Sequence, residues 1–100
     1  MDGDSVILDV DVGFYLRTTL AFRLLGIDAP EMVGESKAAG LQAKSALQGM
    51  LTRGPIRIAT HKADSFGRWL AVIYVRTEAG TEINVNDEMV KSGFAVSYSP

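Results

Sequence analysis

The sequence predicts an α+β domain in which strands dominate, and three observations support it. From Ser5 to Leu25, apolar and polar side chains alternate with a period of two, the pattern of half-buried strands. A single longer stretch, Ser36 to Leu51, switches to helical spacing. Later apolar runs are short, rich in β-branched and aromatic residues, and separated by Gly and Pro. The resulting order is strand, strand, helix, strand, strand, short strand, short helix. This is an antiparallel meander interrupted by one main helix.

In the first strand Val6, Leu8, Val10 and Val12 share one face, with Asp9 and Asp11 on the other. Gly13 marks the turn, and Tyr15 to Leu25 returns with Leu16, Thr18, Leu20, Phe22 and Leu24 on one face. Gly26 to Glu31 ends the pattern, because Pro30 cannot continue a ladder. The helix aligns Ala39, Ala43, Ala46, Leu47, Met50 and Leu51, with Ser36 as its N-cap and Arg53-Gly54-Pro55 as its stop. Gly40 weakens its first turns by about 1 kcal/mol relative to alanine. Pro55 to Thr60 is the next strand, with Ile56 and Ile58 inward. Trp69 to Arg76 follows it, with Trp69 expected in the core and Tyr74 buried. Glu78-Ala79-Gly80 is a turn and Glu82 to Val85 a short strand. Asn84 or Asn86 then caps a brief helix that carries Met89 and Val90 and stops at Gly93.

Residues 1–100 read as a single domain, long enough to bury roughly two thirds of its unfolded surface. The absence of cysteine excludes disulfides and thiolate metal sites, and one histidine, His61, excludes a His-rich zinc site. His61 itself reads as an exposed loop residue. Any metal is therefore held by oxygen, which means a hard cation. A formal net charge of −2 is unusual for a nucleic-acid binder, so basic residues would have to gather on one face. No apolar run reaches a membrane span and nothing marks a secretory signal, so the chain reads as cytoplasmic, with no membrane partner.

Three clusters carry chemistry: Asp2-Gly3-Asp4-Ser5, the run from Phe22 through Arg23 and Asp28 to Glu31, and Asp64-Ser65-Phe66-Gly67-Arg68-Trp69-Leu70-Ala71. Each alone has an ordinary explanation as a turn, a solvated side chain or a loop. Gly3, Gly26 and Gly67 would serve tight turns. Together they supply a working set. Asp4 and Asp28 are two carboxylates at strand ends, able to share a hard divalent ion. Glu31 is placed to act as a general base on water. Arg23 and Arg68 are guanidinium forks that match phosphate oxygens. Hydrolysis of a phosphodiester needs a Lewis acid, a base and cations of this kind.

The clusters, their order and their separations resemble the staphylococcal nuclease-like family. In that family a strand ends in Asp-Gly-Asp-Thr, a later strand runs Arg-Leu-x-Gly-Ile-Asp-x-Pro-Glu, and a loop reads Asp-x-Tyr-Gly-Arg-x-Leu-Ala. Val85-Asn86-x-x-Met89-Val90-x-x-Gly93-Phe94-Ala95 resembles the family's closing pattern as well. The resemblance implies an OB-type five-stranded Greek-key barrel with one main helix. It implies a calcium-dependent endonuclease acting on DNA and RNA with little sequence preference and leaving 3′-phosphate ends. Asp4 and Asp28 match the calcium carboxylates, the Ala29 carbonyl a backbone ligand, and Asp2 a nearby acid outside direct contact with the ion. Glu31 matches the general base, and Arg23 and Arg68 the phosphate-binding arginines.

The chain also departs from the family pattern. Phe66 stands where tyrosine is common and Ser65 where lysine is frequent, so substrate positioning in this cluster is expected to be weaker. Phe66 and Tyr98 are candidate substrate contacts, Tyr98 by stacking on a base. The family's strand before Asp-Gly-Asp and its C-terminal helix have no counterpart here. The expectation is therefore a trimmed domain with two unpaired edges, open to strand exchange between copies. The competing expectation is a catalytically weak or inactive module that binds nucleic acid or protein. The complete set of Asp4, Arg23, Asp28, Glu31 and Arg68 weighs toward the enzyme.

Overall fold

The computed structural model describes residues 3–30, 34, 37–61 and 68–98. β1 (Ser5–Gly13) and β2 (Leu16–Leu24) form an antiparallel hairpin, with Ser5 opposite Arg23 and Leu8 opposite Leu20. β3 (Ile27–Asp28) follows, and then α1 (Lys37–Leu51). β4 (Ile56–His61) and β5 (Trp69–Arg76) make a second antiparallel pair, extended by β6 (Glu82–Asn84). α2 (Val85–Lys91) and β7 (Val96–Ser97) complete the order.

The main sheet runs β1-β2-β5-β4, with β6 also on β5, and a two-stranded sheet joins β3 to β7. This mostly β architecture with two helices is the OB-type α+β fold that the sequence predicts. One junction is not antiparallel: β2 and β5 run parallel, with Phe22 beside Trp69 and Leu24 beside Ala71. A meander pairs only neighbours in sequence, whereas α1 and β4 intervene here and bring the chain back in the same direction.

The period of two decides what is buried. Val6, Phe22 and Leu24 from the hairpin meet Ala71, Ile73 and Val75 of β5. Ala43 and Leu47 of α1, with Val85 and Met89 of α2, close the core. Each of the larger side chains contributes about 1.5–3 kcal/mol by leaving water. Gly40, expected to weaken α1, lies on its buried face. Ser36, its expected cap, lies outside the described residues.

Several sequence expectations need correction. The turn after β1 is centred on Phe14 and Tyr15, both at positive φ, with Gly13 opposite Leu16 as the last pair. Two-residue hairpins favour this left-handed geometry because it matches strand twist, but Asn-Gly is its usual occupant. Trp69 shares the inward face of Ala71, Ile73 and Val75 but lies past the end of the core, and it is 44% exposed. Ile56 faces inward at an edge strand with nothing paired beyond it, and is exposed as well. Tyr74 is half-buried on the outer face, beneath the Arg57 guanidinium at 4.1 Å. Arg57 also grips Glu82 with two bonds of 3.2 and 2.8 Å, which holds the Glu82 carboxyl below the usual carboxylate range. His61 is exposed as expected, but within β4 rather than in a loop.

Of the two candidate caps for α2, Asn84 fills that role and accepts the Asp87 N–H at 3.1 Å. Asn86 is buried and does something else. Its Oδ1 accepts the Ile73 N–H at 3.1 Å, while its Nδ2 donates to the carbonyls of Leu25 at 2.8 Å and Ala71 at 3.0 Å. One side chain thus ties α2 to β5 and to the chain just beyond β2. Its loss would strand two backbone groups, the Ile73 N–H and the Leu25 carbonyl, each costing about 1–3 kcal/mol if left unsatisfied, while the Ala71 carbonyl keeps the Leu25 N–H at 2.8 Å. Asn86→Ala is expected to destabilise the fold by roughly 3 kcal/mol or more, measured by urea unfolding, with Asn84→Ala costing about 1 kcal/mol as an ordinary cap loss.

Candidate functional site

The predicted site residues converge where β1 begins, β2 ends and β3 starts. Asp4 lies immediately before β1 and is only 7% exposed. A buried carboxylate needs donors, and the fold supplies them. Its Oδ2 accepts the Ala29 N–H at 3.0 Å, and its Oδ1 accepts the Ser5 hydroxyl at 3.3 Å. Its backbone carbonyl takes the Leu24 N–H at 2.7 Å, which continues the hairpin by one bond past Ser5.

Gly3 explains how the chain gets this close to the helix. A Cβ at this position would lie 2.6 Å from the Ala43 Cβ and 3.1 Å from the Ala29 Cβ. Glycine is therefore required for space against α1, rather than for the turn angle expected from the sequence. Gly26, with φ +80°, does serve the tight turn that was expected, between β2 and β3. Gly67 lies outside the described residues.

Arg23 is the centre of the cluster. The side chain is 17% exposed, and its Nη1 donates to the carbonyl of Ile27 at 2.9 Å. Its Nη2 sits 3.8 Å from Asp4 Oδ2 and 3.5 Å from Asp28 Oδ1. The two carboxylates thus share one neighbourhood, both facing the same guanidinium nitrogen. Asp28 is more open, with 52% of its side chain exposed, and beside it a groove of about 250 Å³ runs along Ala29, Pro30 and Phe94 to Val96. The small sheet places Asp28 opposite Val96, so β7 sets the position of β3. Tyr98 lies just beyond, half-exposed. Its N–H donates to the Gly26 carbonyl at 2.8 Å, and its ring centre is 5.5 Å from the Arg23 guanidinium carbon.

Arg68, at the entry to β5, reaches the same cluster from the opposite side of β2. Its Nη1 donates to Ser5 Oγ at 2.9 Å. Asp4, Arg23, Asp28, Ala29, Arg68 and Tyr98 are therefore brought together, as the sequence expects. Glu31, Asp2 and Phe66 lie outside the described residues. Two supporting residues, Ser5 in the Asp-Gly-Asp-Ser motif and Asn86 in the closing pattern, hold roles that the sequence does not distinguish from a turn residue and a cap. A hydroxyl directly after a buried carboxylate was the available signal for Ser5. Among the described residues every buried side-chain polar atom has a hydrogen-bond partner.

A family model described as staphylococcal nuclease homologue matches residues 21–100. The chain is similar to Protein ParB of Escherichia coli, with 33% identity over 102 aligned residues, covering 98% of this chain and 53% of that protein. It is 36% identical over 80 residues to an uncharacterized endonuclease of Haemophilus influenzae, covering 80% of this chain and 40% of that protein. A third relative, Endonuclease YhcR of Bacillus subtilis, is 33% identical over 98% of this chain, which amounts to 8% of its own length. The chain thus spans about half the length of ParB and less of the other two.

The packing of Gly3 gives a direct test of how the cluster is held. Gly3→Ala is expected to cost about 1–3 kcal/mol in urea unfolding, because a helix methyl cannot yield. The same volume added at Gly49, where nothing lies within 4 Å of a new Cβ, is expected to be neutral or stabilising.

Proposed function

The chain belongs to the staphylococcal nuclease homologue family, and on that premise we propose that it is a calcium-dependent endonuclease. It cleaves DNA and RNA with little sequence preference and leaves 3′-phosphate ends. The observation that carries this reading is the convergence of Asp4 and Asp28 on Arg23, with Arg68 joined to the same cluster.

The donor set fits a hard divalent cation. Asp4 and Asp28 offer anionic oxygens within one neighbourhood, and no soft ligand accompanies them. In this reading the Ala29 carbonyl and water complete the ligand set, and Asp2, two positions before Asp4 in the chain, acts as an acid outside direct contact with the ion. When bound, the ion supplies Lewis acidity to a phosphate oxygen. Glu31, three residues beyond Asp28 in the chain, accepts a proton from the attacking water. The water oxygen bonds to phosphorus, the bond from phosphorus to the 5′-oxygen breaks, and that oxygen leaves with a proton. Arg23 and Arg68 hold the charge that develops on the phosphate oxygens. Tyr98 and Phe66 contact the adjoining nucleotide.

A second reading, a catalytically weak or inactive module that binds nucleic acid or protein, draws on the net charge of −2, which is unusual for a protein that must process a polyanion. Cleavage assays separate the two. Single-stranded DNA, duplex DNA and RNA are incubated with calcium, with magnesium and with chelator. The enzyme reading expects calcium-dependent cleavage, abolished in Glu31→Ala and reduced roughly 10²–10³-fold in kcat by Arg68→Ala. Binding without cleavage from a folded sample would leave the silent module. An unchanged rate in Arg68→Ala would remove the mechanism.

The second proposed partner is another copy of the chain. Among the described residues β1 and β4 end the main sheet, and a groove of about 380 Å³ lies between them, lined by Leu8, Val10, Ile56 and Ile58 together with the charged Asp9, Asp11 and Arg17. Open strand edges favour strand exchange. Light scattering across a concentration series is expected to show a dimer growing with concentration, and a monodisperse monomer throughout would count against it.

A further inference from the structure

We infer that Ser5 is a positioning residue that fixes Arg68 against the cation-side carboxylate Asp4, an inference that rests on the nuclease reading above. Two contacts in sequence carry it. Arg68 Nη1 donates to Ser5 Oγ at 2.9 Å, and the same oxygen donates its proton to Asp4 Oδ1 at 3.3 Å. An arginine can only donate and a carboxylate can only accept, so the direction of both bonds is forced. The hydroxyl rotor has one orientation that serves both neighbours. The chain guanidinium, hydroxyl, carboxylate is polarised along its length.

The placement of each member gives this bridge its purpose. Arg68 precedes the first ladder pair of β5, Trp69 with Phe22, so the sheet does not itself set where its side chain points. A long side chain loses rotamer freedom when held in one pose. Anchoring it in advance removes that cost from the substrate-binding step. Ser5 is well suited to act as the anchor. It sits at the first pair of β1, directly opposite Arg23, and its neighbour Asp4 is locked by the Ala29 N–H and the Leu24 N–H. This hydroxyl therefore links the second phosphate-binding arginine to the strand position opposite the first and to the carboxylate of Asp4.

The alternative is that Ser5 is merely a polar residue at a strand start, and a double-mutant cycle distinguishes the two. Calcium-dependent cleavage is compared for wild type, Ser5→Ala, Arg68→Ala and the double variant, with Ser5→Thr as the conservative replacement. The expected result is a loss of roughly tenfold in kcat for Ser5→Ala, largely recovered in Ser5→Thr, and no further loss when Ser5→Ala is added to Arg68→Ala. Should the alanine variant unfold, Ser5→Cys takes its place, keeping the volume while offering only a weak donor and acceptor. Full activity in an active-protein background, or losses that multiply in the double variant, would overturn the role of Ser5 and leave the nuclease reading standing. A folded wild-type protein without cleavage would remove both.

Discussion

A carboxylate buried as deeply as Asp4, at 7% exposure, is tolerated only where donors surround it, and that requirement organises the whole end of the barrel. The donors come from separate stretches: the Ser5 hydroxyl beside it, the Ala29 N–H beyond β3, and the guanidinium of Arg23 on the neighbouring strand. Meeting Asp4 draws Arg23 inward. Once there, Arg23 needs acceptors of its own and takes the Ile27 carbonyl, which fixes the start of β3. The helix is involved as well, because Gly3 lets the backbone rest on Ala43. Apolar burial supplies the driving force for the fold, and this one charge joins the pairing with β7 in setting where β3 lies relative to the hairpin.

Regular structure was legible in the sequence because its signals are local. The alternation from Val6 to Val12 and from Leu16 to Leu24 identifies two strands, and the spacing of Ala43 and Leu47 identifies the helix face. What escaped depends on tertiary context. Trp69 and Ile56 carry the right face but stand where the core ends, and no local pattern marks that limit. β3 and β7 hold two residues each, too few for a period to register, and they exist only because each satisfies the other.

The proposed site was legible for a different reason: its residue types are those that the proposed phosphodiester chemistry requires, clustered at strand ends. Asp4, Arg23, Asp28 and Arg68 meet as expected although up to 64 positions separate them in the chain, Arg68 joining through Ser5. The supporting residues were harder to see. Ser5 and Asn86 act by hydrogen bonds to partners far away in sequence, and a serine or asparagine has ordinary local uses that compete for its interpretation. Family resemblance points to residues that touch substrate and metal, and says less about those that hold them in place.

The pairing of β3 with β7 has a further meaning for how the protein comes into being. Asp28 is held opposite Val96, so one of the two carboxylates takes its place only after nearly the entire domain has been made. During synthesis the hairpin and Arg23 emerge early, and the strand that completes the site emerges late. For the proposed activity this order has value, since a nuclease under construction is surrounded by the message that encodes it and by the ribosome's own RNA. On that reading, the closing of β3 waits until Val96 and Ser97 have left the exit tunnel.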